Sequence, residues 1–291
     1  VLMAKVLINE TNLTNIAEAI RGKTGETAKM KPAEMAGKIN GIQTGGGEDA
    51  FSKFLESANP GPLTINAETI REGAFSYGSS YGVTPIFDFI CPNLKTINKN
   101  AFKPESLQTK VTFKEFVAPK LETISSGAFY NGIFEKYDFS LLKNIEDRAF
   151  SCYNSINFST DNIFRGPKVE SIGSEAFSNR LIKKVIVGEK TTNPATFGGT
   201  CFSSSQLETL ICNNVSTFYT MAFWKSKLST LVIKGAAVPQ LTSTSVFDNT
   251  PIADGTGSIY VPDALVEQYK VATNWAIYAD QIKPLSEYTE A

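Results

Sequence analysis

Side chains that commonly carry catalysis are scarce in this chain. Histidine is absent from all 291 residues. Without an imidazole there is no Ser-His-Asp or Cys-His nucleophile, no HExxH zinc site and no acid/base group that titrates near neutrality unaided. Four cysteines remain, Cys91, Cys152, Cys201 and Cys212, separated by 61, 49 and 11 residues. They form no CxxC pair, so the expectation is free thiols packed as small apolar residues rather than a zinc or redox centre. Carboxylates are abundant but scattered, and no spacing selects a glycosidase pair. Gly45-Gly-Gly47 lacks the Gly-Lys-Ser/Thr ending of a phosphate loop and runs into Glu48 and Asp49, the wrong sign for phosphate. Asp254-Gly-Thr-Gly257 offers too few oxygens for calcium, and Gly198-Gly199 reads as a turn. The sequence thus implies no catalytic residue, no metal, no cofactor and no enzyme.

Charge and hydropathy set the elements that remain. Lys and Arg number 28 against 29 Asp and Glu, a net charge of −1. A near-neutral balance argues against a nucleic-acid face, which shows clustered basic residues. At 42% apolar and 20% charged the chain is globular. No segment approaches the ~20 apolar residues of a membrane helix. The opening run Val1–Asn9 is broken by Lys5 and does not read as a signal peptide.

The chain repeats. An apolar residue, three spacers and Ala-Phe recur at Ile70, Ile97, Ile124, Ile145 and Ile172, with weaker copies at Phe197, Phe218 and Val246. The phenylalanines fall at 75, 102, 129, 150, 177, 202, 223 and 247. Their mean spacing, roughly 25 residues, lies in the range of solenoid proteins. Upstream sits a second element, Leu94-Lys-Thr-Ile97, Leu121-Glu-Thr-Ile124, Leu142-Lys-Asn-Ile145 and Val169-Glu-Ser-Ile172. Leu207–Leu210 and Leu228–Leu231 are related but sit differently relative to the next Phe. Between these lie β-type runs at 85–90, 111–113, 184–187, 210–211 and 231–233. One such unit cannot bury its anchors alone, so neighbouring coils must stack, with the Ala small for a close chain turn and the Phe filling the space between coils.

Past the repeats, Ser258–Pro262 reads as a last strand. Asp263 reads as the N-cap of a helix whose Leu265, Val266, Tyr269 and Ala272 share one face. Trp275, Tyr278 and Ile282 follow, and the segment is expected to cap the last coil. The Leu-x-x-Ile-x-x-x-Ala-Phe pattern over residues 64–258 resembles the BspA-type leucine-rich repeats, and the Tyr-Val-Pro…Tyr…Trp…Ile ending is similar to the segment that closes them. That resemblance implies a right-handed, β-dominated (α+β) leucine-rich-repeat-like solenoid of about eight repeats, with a C-terminal helical cap over 259–291.

Residues 1–47 do not repeat. Leu13, Ile16 and Ile20 form one helical stripe and Met35, Ile39 and Ile42 a second, followed by a Gly-rich linker; residues 48–63 bridge to the first coil as its cap. Two helices of about ten residues are marginal alone, so the stripes are expected to serve assembly, including self-association into a homo-oligomer. The run Asn9–Arg21, Lys23-Thr-Gly25 and Lys29–Ala36 resembles the N-terminal module of phage and prophage structural proteins of Gram-positive hosts. It implies a small N-terminal helical anchor to other virion proteins, and a chain assembled in the host cytoplasm and located in the virion as a tail, baseplate or fibre component. A capsid decoration fibre and a bacterial cell-surface adhesin are the alternative readings.

The segments after each Ala-Phe are rich in Tyr, Ser, Gly and Asn, a composition suited to recognition. Equivalent positions of a solenoid align, so Tyr77, Tyr81, Tyr130, Asn131, Tyr153, Arg180 and Trp224 are expected on one ridge. That ridge is the candidate receptor-binding site for a host glycan or protein, with no nucleic acid or membrane as partner.

Overall fold

The computed structural model describes residues 62–76, 86–191 and 193–290. The expected helical anchor, with Leu13, Ile16, Ile20, Met35, Ile39 and Ile42, lies outside the described residues, as do Tyr77 and Tyr81.

The chain winds as a β-solenoid of parallel strands. One sheet has eight short strands, one per coil: Thr69–Ile70, Thr96–Ile97, Thr123–Ile124, Asn144–Ile145, Ser171–Ile172, Ala195–Phe197, Val215–Phe218 and Gln240–Leu241. The Leu-x-x-Ile element is therefore itself a strand, with Thr96 opposite Thr123 and Ile97 opposite Ile124. The other flank carries two sheets. The first comprises Leu63–Thr64, Ile86–Ile90, Val111–Val117 and Gly132–Phe134. The second comprises Ile163–Gly166, Lys184–Val187, Thr209–Cys212, Thr230–Ile233, Ser258–Val261 and Ile282–Pro284. Leu210 and Leu231 belong to this flank, which is why they sit differently from Ile97 and Ile124.

Between the flanks runs a ladder of phenylalanine rings. Phe75, Phe102, Phe129, Phe150, Phe177, Phe202, Phe223 and Phe247 stack in succession, with centroids 4.9–5.8 Å apart and planes within 5–22° of parallel. That spacing is set by the parallel coils, whose backbones lie ~4.8 Å apart. The amide of each Phe before the last rung, Phe247, donates to the carbonyl of the Ala, or its Cys or Val substitute, in the next coil, at 2.7–3.1 Å. A second rank, including Phe89, Phe113, Phe116 and Phe134, meets the ladder edge-on, as in Phe102–Phe113 at 88° and Phe116–Phe129 at 87°. Offset-stacked and edge-to-face pairs are the two favoured aromatic geometries, and both are used.

The residue before each Ala takes a left-handed conformation. Gly73, Asn100, Gly127, Arg148, Glu175, Thr200 and Met221 have φ between 54° and 65°. Only two of these are glycine, so five coils adopt a conformation that side chains disfavour in order to close the turn. Gly198, expected only to mark a turn, serves a close approach: a Cβ there would lie 2.7 Å from the backbone of Gly173 one coil earlier.

The C-terminal segment closes the stack. Trp275 donates its indole N–H to Pro239 O at 2.7 Å, and Tyr278 its hydroxyl to Thr244 O at 2.6 Å. The Tyr278 ring meets Phe247, the last rung, edge-on at 5.2 Å. Tyr269 is buried on the one-turn-and-a-half helix Val266–Val271, with Leu265, Val266 and Ala272 packed beside it. One detail differs from expectation. Asp263 opens a 3-10 turn capped by Pro262, and its carboxylate accepts instead from the Ser286 amide at 3.0 Å.

If the ladder carries the stability, Phe129→Ala lowers it by about 3–5 kcal/mol. Tyr153→Ala, at a half-exposed position, changes it by less than about 0.5 kcal/mol. Guanidinium melts of both variants check this, and a Phe129→Ala midpoint equal to that of the parent contradicts it.

Candidate functional site

The cysteines offer no reactive thiol. All four are fully buried, and burial pushes the Cys91, Cys201 and Cys212 thiols up from their ordinary pKa. Among the described residues no cluster of three or more Cys, Asp and Glu is arranged to hold a metal ion. Asp254 turns its carboxylate to the amide and hydroxyl of Thr256 instead. Among the described residues no helix is long and apolar enough to cross a membrane.

The tyrosine ridge is only partly assembled. Tyr130 and Trp224 do occupy equivalent positions, each directly after its ladder Phe, but Ser151, Ser178 and Ser203 fill the coils between them. Both rings are half-buried, and each has a lysine over its face, Lys103 at 5.5 Å and Lys225 at 4.2 Å. Tyr153 is exposed. Two expected members are corrected. Asn131 is fully buried: its amide donates to Leu107 O and Thr109 O and its oxygen accepts from the Tyr153 amide. Arg180 is also fully buried, and its guanidinium donates to the carbonyls of Phe150, Asn157 and Phe129. Its partners belong to other coils, so it pins backbone rather than meeting a ligand. Burial pushes its pKa down to about 10, which leaves it protonated at neutral pH.

The distinctive surface lies elsewhere, where the longer-stranded flank divides into two sheets. Between Gly132–Phe134 and Ile163–Gly166 the continuous ladder gives way to an isolated bridge, Phe134 to Ser159. The irregular stretch through residues 151–162 causes the break, and Tyr137 heals it. Its hydroxyl donates to Ile163 O at 2.7 Å and accepts from the Arg165 amide at 3.3 Å. A phenol oxygen thus supplies the acceptor and donor that a neighbouring strand would present. Burial raises the Tyr137 pKa far above its ordinary value and keeps the donor protonated.

A recess of about 480 Å³ opens at this break, lined by Tyr137, Asp161 and Arg165 among others. Burial opposes the Asp161 charge, but hydrogen bonds from Ser159 Oγ, the Ile163 amide and Arg165 outweigh it and hold the pKa below the ordinary range. A second recess of about 320 Å³ shares Asp161 and continues across the outer face toward Tyr260 and Tyr288. The register aligns Ile163, Lys184, Thr209 and Thr230 in one column on its floor.

The chain's own C-terminal segment returns over the same face. The Tyr288 ring lies 5.2 Å from that of Tyr260, and Glu290 pairs with Lys184 at 2.9 Å. Ile211 and Val232 alternate with core residues and so point away from the ladder, yet are 2% and 0% exposed. None of these groups stood out in sequence, where they form ordinary β-runs. Spacing gave no signal either, since the 27 residues from Phe150 to Phe177 equal those from Phe75 to Phe102 and from Phe102 to Phe129.

Tyr137→Phe removes both strand-mimicking hydrogen bonds and is expected to cost about 1–2 kcal/mol of stability with an unchanged denaturant slope. An unchanged urea midpoint contradicts the role assigned to the hydroxyl.

The profile of the BspA type leucine-rich repeat region matches residues 68–195 and 158–253, in six copies. A search of curated proteins finds no match to the chain. The match spans more than half of the sequence and coincides with the coils that carry the phenylalanine ladder, so the chain belongs to the BspA-type leucine-rich repeat family.

Proposed function

We propose that the chain is a phage virion structural protein, a tail, baseplate or fibre component whose solenoid is displayed to recognise the host surface. The recognition half is carried by one observation: among the described residues the longer-stranded flank divides into two sheets, and mixed polar and aromatic recesses open at the division. A solenoid of this kind is a binding and scaffold fold, and buried thiols together with the absence of histidine favour binding over catalysis. The virion half is supported by the resemblance of residues 9–36 to phage structural modules. In this reading residues 1–47 bind other virion proteins and the solenoid meets a host glycan or protein.

Immunogold labelling of particles from the source lysate, with serum against residues 48–291, tests the assignment. Label at the tail tip is the expected result. Label on the head makes the chain a capsid decoration fibre, and an absence of label on any particle overturns the virion reading in favour of a surface adhesin.

A further inference from the structure

We propose that the trough running from Tyr137 past Asp161 to Tyr288 binds a neutral, hydroxyl-rich chain, that is, a saccharide. The proposal rests on the recognition half of the reading above and not on the virion half. The two recesses adjoin at Asp161, which lines both, and together they are of a size that suits a small oligomeric ligand.

Charge selects the class. The lining side chains comprise four bases and four acids, with no net charge. Two of the bases are already paired, Arg165 with Asp161 at 3.3 Å and Lys184 with Glu290 at 2.9 Å. A surface so balanced concentrates neither anions nor cations. It does offer fixed donors and acceptors. Thr209 and Thr230 stand directly opposite in register, so their hydroxyls recur at the strand spacing of ~4.8 Å. At one end Tyr260 and Tyr288 supply apolar ring faces beside polar tips, the combination that meets the C–H faces and hydroxyls of a pyranose; at the other the Tyr137 ring packs on Phe134, Phe139 and Phe158 and its hydroxyl is bonded to backbone, so it shapes the wall.

An extended peptide fits less well. Strand addition requires an open sheet edge. The edge of Ile163–Gly166 that faces the break is closed, with Tyr137 bonded to Ile163 O and the Arg165 amide and Asp161 bonded to the Ile163 amide.

Saturation-transfer NMR on the full chain tests the proposal. The probes are oligosaccharides of glucose, galactose, rhamnose and N-acetylglucosamine, with a tyrosine-containing extended peptide for comparison. At least one oligosaccharide should receive saturation. A Thr209→Val/Thr230→Val variant, which keeps strand-forming side chains of the same size, should bind it about tenfold more weakly. Circular dichroism confirms that the variant is folded. Saturation of no oligosaccharide, undiminished binding by the folded variant, or saturation of the peptide alone overturns the proposal. Failure of particle labelling would leave this result untouched, and loss of saccharide binding would leave the labelling untouched, so the two readings fail separately.

Discussion

The structure depends on one constraint: every coil must place a phenylalanine ring directly over the last. The rings stack because the parallel backbones fix the coil spacing, and the backbones hold that spacing partly through the amide of each ladder Phe before the last, which bonds the next coil. Ring stack and amide ladder are thus two records of one periodicity. The Ala before each Phe follows from the same demand, since its carbonyl receives that bond where the coils pass closely. Cys201 meets the requirement with a buried thiol. The left-handed turn at Arg148, Glu175, Thr200 and Met221 is the strain the arrangement tolerates, at a cost of about 1–2 kcal/mol per non-glycine residue.

A rod held this way from inside is free to vary outside, and the outer flank shows it. The stretch through 151–162 departs from the repeat without breaking the ladder, because Phe150 and Phe177 still stack at 5.1 Å across it. What it breaks is the sheet. Three polar side chains absorb the damage. Tyr137 replaces the missing strand contacts, Arg180 ties the carbonyls of Phe129, Phe150 and Asn157 together, and Asn131 does the same for Leu107 and Thr109. Buried polar groups are tolerated where their bonds are met, and here they supply specificity of shape to a core otherwise built from rings and aliphatics. The trough is the outward consequence of the same irregularity.

The ladder was legible in the sequence because its signal is one residue type at one period, visible without any contact map. The buried cap residues Tyr269, Trp275 and Tyr278 were legible for a related reason, as large aromatics just past the last repeat. The two-residue strands such as Thr123–Ile124 were not read as strands, since two residues are too few for alternation to show. The left-handed positions were hidden because long-range stacking overrides local preference there, so that an Arg or Met stands where a Gly or Asn is expected. Arg180 and Asn131 misled for a different reason. Their types favour surfaces, and the carbonyls that bury them come from residues 22 to 51 positions away. The trough is not legible because register alone brings Ile163, Lys184, Thr209 and Thr230 together, and register is not written in any one segment.

Hydrogen exchange resolved to single amides tests the ladder most directly. If ring stack and amide bonds form one spine, the amides of Phe102, Phe129, Phe150, Phe177 and Phe202 exchange together, among the slowest in the chain and only through global opening. Fast exchange at these positions, or rates that differ from rung to rung as in independently opening coils, would contradict the spine and leave the outer sheets as the elements that hold the rod.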